Sequence, residues 1–231
     1  MDWSFTPAEW EAIRLSLKVA GWSVLGSLPF GVALAFVLSR LSFPGQTVLD
    51  ALVHLPLVLP PVVTGYLLLV LLGRHGVIGG WLYEHLGLSL AFNWKGAVLA
   101  SAVMALPLMV RAIRLSLDQV DRGLEAAAGT LGAGRGRVFF TITLPLILPG
   151  LITGSILAFA RSLGEFGATI TFVSNIPGET RTMPIAIYSL TQVPDGEARA
   201  AALCLVAAGI SLLALVLSEW LSRQAANRLR G

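Results

Sequence analysis

Residues 117–149, LDQVDRGLEAAAGTLGAGRGRVFFTITLPLILP, form the one long polar segment of a strongly apolar chain, and an apolar run lies on each side of it. Apolar side chains recur in its first half at steps of three and four residues, which is the spacing of one face of an α-helix. These side chains are Leu117, Val120, Leu124, Ala128 and Leu131. The pattern predicts a short amphipathic helix that projects from between two membrane spans.

Two glycines, Gly132 and Gly134, follow the predicted helix, and Arg135 and Arg137 come next. Glycine adopts the left-handed conformation that ends a helix without a steric penalty, and basic groups are favoured near the negative end of the helix dipole. We therefore expect a helix, a tight turn and a basic rim on one side of the membrane.

The same segment resembles the cytoplasmic coupling loop of ABC importer permeases. The signature of that loop is Glu-Ala-Ala, three residues, Gly, nine residues and Ile-x-Leu-Pro. Ala127, Ala128 and Gly132 fall on this pattern, and so does ITLP at residues 142–145. Six positions of the signature thus keep their spacing.

The acidic position of the signature is the exception. Strict spacing puts Ala126 there, and the nearest carboxylate, that of Glu125, lies one residue earlier. The resemblance implies that the loop binds an ATP-binding subunit through Glu125, Ala127, Ala128, Gly132, Arg135 and Arg137. The alternative is an ordinary surface loop between two helices.

Composition indicates that the whole chain is a membrane protein. Of its 231 residues, 55% are hydrophobic and 13% are charged, and the mean hydropathy is +0.79, whereas soluble domains carry about 25% charged residues. A membrane-spanning helix needs about 20 apolar residues, so the length leaves room for five or six helices and for no separate soluble domain. We therefore predict an all-α, polytopic helical bundle that forms a single transmembrane domain over residues 1–231.

The apolar runs predict about five transmembrane helices and one cytoplasmic coupling helix. The predicted spans are residues 13–38, 48–72, 96–113, 145–163 and 200–221, with the coupling loop at residues 117–144. Residues 168–193 are apolar in places, but Asn175, Pro177, Gly178 and Pro184 interrupt the run too often to predict a span.

Basic residues set the expected orientation, because they are enriched in cytoplasmic loops. With the coupling loop inside, nine basic residues lie in inside loops: Arg40, Arg111, Arg114, Arg122, Arg135, Arg137, Arg223, Arg228 and Arg230. Four lie in outside loops: Arg74, Lys95, Arg181 and Arg199. We therefore expect the N-terminus outside and the C-terminus in the cytoplasm.

The second predicted span contains Pro56, Pro60 and Pro61. Each proline removes a backbone donor, and the carbonyl that this leaves unpaired is tolerated at membrane depth only beside protein or water. A helix broken in this way is a candidate wall of a translocation pathway. A kink that serves packing alone is the alternative.

Arg161 and Glu165 lie one helical turn apart at the end of the fourth predicted span. Charges in such a position usually mark an ion pair or a transport pathway, and both interpretations stay open. The candidate pathway residues are Pro60, Pro61, Arg161, Glu165, Thr169 and Thr171.

Several functions are disfavoured by what the sequence lacks. It contains no GxxxxGK[ST] loop to bind nucleotide phosphates, and no HExxH or GxSxG motif of a metalloenzyme or serine hydrolase. We therefore predict that the chain is not an enzyme, has no cofactor and depends on another subunit for ATP hydrolysis. The arginines form no basic block, so membrane topology explains them better than nucleic acid does. Cys204 is the only cysteine, so no disulfide forms within the chain.

Two further stretches narrow the resemblance: LPLVLPPVVTGYLLL at residues 55–69 and RSLGEFGATITFVSNIPGETRTMPIAIYSL at residues 161–190. With the coupling loop they resemble the permease subunits of molybdate ABC importers over essentially the whole chain, and sulfate permeases are similar around residues 164–167. The resemblance implies a permease homodimer in the bacterial cytoplasmic membrane, two cytoplasmic ATP-binding subunits and an extracytoplasmic oxyanion-binding protein. The alternatives are a sulfate or tungstate permease and, in another class, an ion-coupled secondary transporter, which would need carboxylates at mid-membrane.

Overall fold

The computed structural model describes residues 5–230, with side chains up to Gln224, and this part of the chain is helical without a strand. Its twelve α-helices are α1 Pro7–Arg40, α2 Gln46–Val58, α3 Pro61–Leu72, α4 Val77–Leu86, α5 Trp94–Asp118, α6 Arg122–Thr130, α7 Arg135–Val138, α8 Leu144–Leu146, α9 Leu148–Leu163, α10 Gly167–Val173, α11 Met183–Leu190 and α12 Glu197–Arg230. A π-helical turn, Phe139–Thr143, joins α7 to α8. The side chains of Arg228 and Arg230, which entered the orientation argument, lie outside the described part.

Three of these helices, α1, α5 and α12, are long and apolar enough to cross a membrane. α1 has 34 residues, which is about 51 Å at 1.5 Å per residue and more than the roughly 30 Å of the hydrocarbon core. Its start is fixed by the N–H and hydroxyl of Thr6, which donate to the Glu9 carboxylate at 2.7 and 2.9 Å. Asn93 caps α5, because its Oδ1 accepts the N–H groups of Lys95 and Gly96 at 2.8 and 3.2 Å.

Two further apolar segments are bent. α2 and α3 meet at 114°, and the stretch Arg135–Leu146 meets α9 at 68°. Prolines explain both breaks, since α3 begins at Pro61 with Pro60 as its cap residue, and Pro149 lies in the first turn of α9. With each bent pair counted as one span, the described residues contain up to five spans.

The predicted spans can be compared with these elements directly. Residues 13–38, 96–113 and 200–221 fall within α1, α5 and α12, residues 48–72 are divided between α2 and α3, and most of 145–163 lies in α9. The interrupted segment 168–193 contains α10 with seven residues and α11 with eight. Both helices are far shorter than the roughly 20 residues that a span needs.

The predicted apolar stripe of the coupling helix is wrong, because it is divided between two elements. Leu117 and Val120 are buried against the membrane spans at the end of α5. α6 begins separately, because the Asp121 side chain caps it by accepting a backbone N–H at 2.8 Å. Leu124 and Leu131 are 50% and 89% exposed, so α6 is a surface helix without a buried apolar face.

α1, α5 and α9 form the centre of the bundle. Their apolar side chains meet in one cluster that includes Leu38, Met109 and Ala158. Gly150 and Gly154, one helical turn apart, bring α9 against α5: a Cβ on Gly150 would overlap the side chain of Ser116 on α5. Small residues serve this purpose in membrane helices, since apolar side chains gain nothing by leaving lipid for protein.

We expect Gly150→Ala to destabilise the bundle by about 1 to 3 kcal/mol, because the new methyl group forces α9 away from α5. Thermal unfolding of the purified protein in detergent measures the change. Gly209→Ala is the matched control, since Gly209 also lies inside a membrane helix but a Cβ there meets nothing within 4 Å. Equal unfolding midpoints for the two variants would contradict the close contact.

Candidate functional site

The coupling helix α6 ends in a turn that its backbone geometry fixes. The N–H of Ala133 donates to the carbonyl of Ala128 at 3.1 Å, and the N–H of Gly132 donates to the carbonyl of Gly129 at 3.0 Å. These two bonds form a Schellman motif. Gly132 has φ +86°, a conformation that strains any residue with a Cβ. The turn predicted at this glycine is therefore present.

The residues that we expect to contact an ATP-binding subunit lie mostly at the surface. Ala127, Gly132, Arg135 and Arg137 are exposed, and Ala128 is half-buried. The two arginines do not follow a helix end, as expected from the sequence, but lie in α7. The reason is that the chain is extended again at residue 134 and a new helix begins directly after it.

Glu125 differs from the other residues of this set because its carboxylate contacts its own chain. Its Oε1 accepts a hydrogen bond from Arg40 Nη2 at 3.2 Å and another from Thr143 Oγ1 at 2.7 Å. The Arg40 side chain is 8% exposed, and its Nη2 also lies 3.4 Å from the carbonyl of Val120. One buried guanidinium thus joins the end of α1, the end of α5 and the coupling helix.

A groove of about 240 Å³ runs along the coupling loop beside this carboxylate. It is lined by Phe36, Glu125, Gly129, Ala133, Arg135, Val138, Phe139 and Thr143. Its floor is aromatic, since Phe36 packs edge-on against Phe139 with ring centroids 5.7 Å apart. The loop therefore offers a concave surface with one basic and one acidic group at its edge.

The candidate pathway residues lie around the junction of α3 and α10, where two glycines allow backbone contact. A Cβ on Gly65 would lie 2.8 Å from the Cα of Ala168, and a Cβ on Gly167 would lie 2.8 Å from the Cβ of Pro61. Pro60 precedes this contact as the cap residue of α3. The double proline and α10, which are a hundred residues apart in sequence, therefore form one junction.

The charges predicted near this junction form an ion pair within the chain. Arg161 Nη1 lies 2.6 Å from Glu165 Oε2, and the Glu165 side chain is 1% exposed. The other carboxylate oxygen accepts the N–H of Ala168 at 2.8 Å, so Glu165 also satisfies an unpaired donor at the start of α10. The pair thus fixes the position of α10 against the end of α9.

The hydroxyl groups of α10 bond to the helix itself. Thr169 Oγ1 donates to the carbonyl of Phe166 at 2.9 Å, and Thr171 Oγ1 donates to the carbonyl of Gly167 at 2.8 Å. Thr169 is 1% exposed. In this conformation neither threonine presents a free hydroxyl donor to a pathway.

Thr64 lies at the same junction, and sequence reasoning did not single it out. It is 6% exposed, and its hydroxyl has no hydrogen-bond partner among the described residues. An unpaired buried hydroxyl is costly, which marks the residue as a candidate for function. Its place between a double proline and Gly65 was the available signal, but a single threonine in an apolar run is not distinctive.

Comparisons with known proteins agree with this architecture. The chain matches the family model described as binding-protein-dependent transport system inner membrane component over residues 27–230. It is 63% identical to the molybdenum transport system permease protein ModB of Escherichia coli (strain K12), with 96% of this chain and 97% of that protein covered. It is 60% identical to the protein of the same name from Haemophilus influenzae, with 96% of each covered.

A solved structure with a similar fold is that of a bacterial ABC transporter involved in the import of the acidic polysaccharide alginate. The TM-score is 0.74 at 20% sequence identity, with 95% of this chain and 80% of that chain covered. Identity this low supports the fold alone. The family match, which covers nearly the whole chain, shows that this multi-pass membrane protein belongs to the binding-protein-dependent transport system inner membrane components.

Proposed function

We propose that the chain is the permease subunit of an ATP-driven importer that carries molybdate across the bacterial cytoplasmic membrane. The observation that carries this proposal is the high identity to the two ModB permeases over nearly the whole length of both proteins. The surface coupling helix supports it, because a permease without a nucleotide-binding loop of its own needs a contact with an ATP-binding subunit. Two copies of the chain, two cytoplasmic ATP-binding subunits and an extracytoplasmic oxyanion-binding protein complete the proposed assembly.

The coupling step follows from the contacts of α6. In our proposal the ATP-binding subunit holds the exposed turn through Ala127, Ala128, Gly132, Arg135 and Arg137, and its closure on ATP moves α6. The Glu125 carboxylate then transmits the movement inward, because it is bonded to Arg40 at the end of α1 and to Thr143 next to α9. Differential binding of ATP to the two states supplies the free energy.

The closed part of the pathway is, in our proposal, the junction of α3 and α10. Close backbone contact at Gly65 and Gly167 closes the space between the two helices in this conformation. Separation of the two helices would expose the unpaired hydroxyl of Thr64. The hydrogen bonds of the Thr169 and Thr171 hydroxyls lie within α10, so they would break only if α10 unwound. A few neutral donors suit an anion that has to be released again.

The alternatives differ in substrate or in energy source. A sulfate or tungstate permease would have the same coupling loop. An ion-coupled transporter would need a carboxylate free to bind a proton or cation, but Glu165 is already paired with Arg161 and with a backbone N–H. The pairing of Glu165 therefore supports coupling to ATP over coupling to an ion.

We expect ATP hydrolysis by the assembled complex in proteoliposomes to rise when molybdate-loaded binding protein is added outside. Uptake of radioactive molybdate should accompany hydrolysis and stop without ATP. Sulfate-loaded binding protein is the comparison. Stimulation by sulfate alone would make the chain a sulfate permease, and uptake driven by an ion gradient without ATP would place it among secondary transporters.

Gly132→Asp should leave membrane insertion intact but lower copurification of the ATP-binding subunit by at least about tenfold, because an unpaired charge buried in that contact costs several kcal/mol. Quantitative pull-down from solubilised membranes measures this. Gly45→Asp is the matched control, since Gly45 has φ +93° and nothing within 4 Å of its Cβ position. It carries the same backbone strain and the same new charge outside the coupling loop.

If Gly132→Asp copurified its partner and transported as well as Gly45→Asp, the turn would be an ordinary surface loop. The coupling role proposed for α6 would then be wrong.

Single cysteines in a Cys204→Ser background test the α3–α10 junction. Thr64→Cys should resist a polar thiol reagent while the junction is closed and react after nucleotide binding opens it. Leu212→Cys is the control, because Leu212 is 64% exposed on the membrane helix α12, where lipid keeps a polar reagent away in every state. Identical rates at Thr64→Cys in all nucleotide states would leave packing as the only role of the broken helix.

A further inference from the structure

A cavity of about 390 Å³ between α2 and α5 brings together charged side chains that no motif connects. Asp50 and His54, one turn apart on α2, face Arg111, Arg114 and Asp118 on the last two turns of α5. In a chain with 13% charged residues, this is a high local density of charge. Given the expected orientation, the cavity lies at the cytoplasmic end of both helices.

The two arginines of the cavity are in different situations. Arg114 Nη1 lies 3.0 Å from Asp50 Oδ1, and His54 Nδ1 lies 3.3 Å from the same oxygen. Arg111 is exposed and forms an ion pair with none of the side chains that the structure describes. One guanidinium is thus free, and a second, one turn away, is held by a single carboxylate.

We propose that this cavity is an oxyanion-binding site at the cytoplasmic mouth of the pathway, in which Arg111 and Arg114 together bind a tetrahedral dianion as it leaves. The proposal rests on the proposed function as an oxyanion permease. A guanidinium presents two parallel N–H donors to two oxygens of an anion, so two of them one turn apart hold a tetrahedral dianion from two sides.

The surrounding carboxylates keep such a site weak. Asp50 competes with the anion for Arg114, and Asp118, which accepts a hydrogen bond from Ser39 Oγ at 2.5 Å, adds a second negative charge to the rim. The two arginines and the two aspartates sum to zero in formal charge, so the site has no net charge to attract a dianion, and binding depends on the directed N–H donors of the two guanidiniums. A site on an exit route has to release the ion again, and such weak binding meets that need.

The position of α2 determines whether the Arg114 guanidinium is available to bind the anion. Every residue of α2 remains at least partly exposed, so this helix is held to the bundle loosely. At its inner end it is held by the Asp50–Arg114 ion pair and by Gln46 Nε2, which donates to the carbonyl of Leu38 at 2.8 Å. Movement of α2 away from α5 frees Arg114, and its return expels the anion.

Leu115 provides a direct probe of occupancy, because it lines the cavity and is 58% exposed. Leu115→Cys, in a Cys204→Ser background and in the complex assembled with its ATP-binding subunits, is labelled with a neutral, water-soluble maleimide while sodium molybdate is titrated. A neutral reagent keeps electrostatic effects on the reagent itself out of the rate. We expect molybdate, and sulfate as a second tetrahedral dianion, to slow labelling.

Two charge changes then act in opposite directions. Arg111→Gln should raise the molybdate concentration for half-protection by about tenfold or more, since it removes a charge-assisted contact, and Arg111→Lys should restore part of the loss. Asp50→Asn should lower that concentration by about tenfold, because it releases Arg114 to the anion. Leu41→Cys, 49% exposed in the loop between α1 and α2 on the same side, should show no protection.

Protection that is absent at Leu115→Cys, or unchanged by Arg111→Gln in a complex that still copurifies, overturns the proposed site. Molybdate uptake by the same preparation separates this result from failure of the proposed function. Uptake without protection refutes the cavity site and leaves the permease function standing. Protection in a complex that imports no oxyanion supports the site and refutes the function.

Discussion

Backbone N–H and carbonyl groups that lose their helical partners at a helix break need other hydrogen-bond partners within the protein. The rest of this structure depends on that requirement. In lipid an unpaired N–H or carbonyl costs several kcal/mol. At the α2–α3 break, the carbonyl of Pro60 accepts the N–H of Val63 at 2.9 Å. Before α9, the N–H of Ile147 reaches the carbonyl of Thr143 at 3.0 Å. At the start of α10, the Glu165 carboxylate takes the N–H of Ala168. At each of these places a group close to the break thus pairs a backbone N–H that would otherwise lack a partner.

Because hydrogen bonds near each break pair the backbone there, the bundle can contain a fixed part and a movable part. α1, α5 and α9 share one apolar cluster, and α9 approaches α5 through Gly150 and Gly154, so their separation would open a large cavity. α3 is packed less completely into the bundle, because only Thr64 and Gly65 of its residues are buried. α2 is held more loosely still. A conformational change is therefore expected to use α2, α3 and α10 and to leave the central helices in place.

In the proposed coupling step a single carboxylate links the coupling loop to the helical bundle. Glu125 stands one residue before the acidic place of the signature, and its oxygen is engaged by Arg40 and Thr143. Removal of the Glu125 carboxylate would leave the buried Arg40 guanidinium without its ion-pair partner, which would cost stability. This arrangement gives the displaced glutamate a structural role that the aligned Ala126 does not have. It also explains how a helix without a buried apolar face stays attached to the bundle.

The sequence by itself determined the class of protein, the approximate spans and the turn at Gly132, because these depend on local properties: runs of apolar residues, proline breaks and the left-handed freedom of glycine. It also indicated the family, since motifs at fixed spacing survive without knowledge of the fold. The sequence-based prediction failed for the apolar stripe from Leu117 to Leu131, because the spacing of three and four residues continues past the end of α5. Such spacing cannot show where one helix ends and where Asp121 caps the next helix. Only the tertiary structure decided that Glu125 faces Arg40, that Pro61 meets Gly167, and that Asp50 shares a cavity with Arg111 and Arg114. Those contacts join residues about 60 to 110 positions apart, and they arise from how whole helices pack, which no local pattern of side chains encodes.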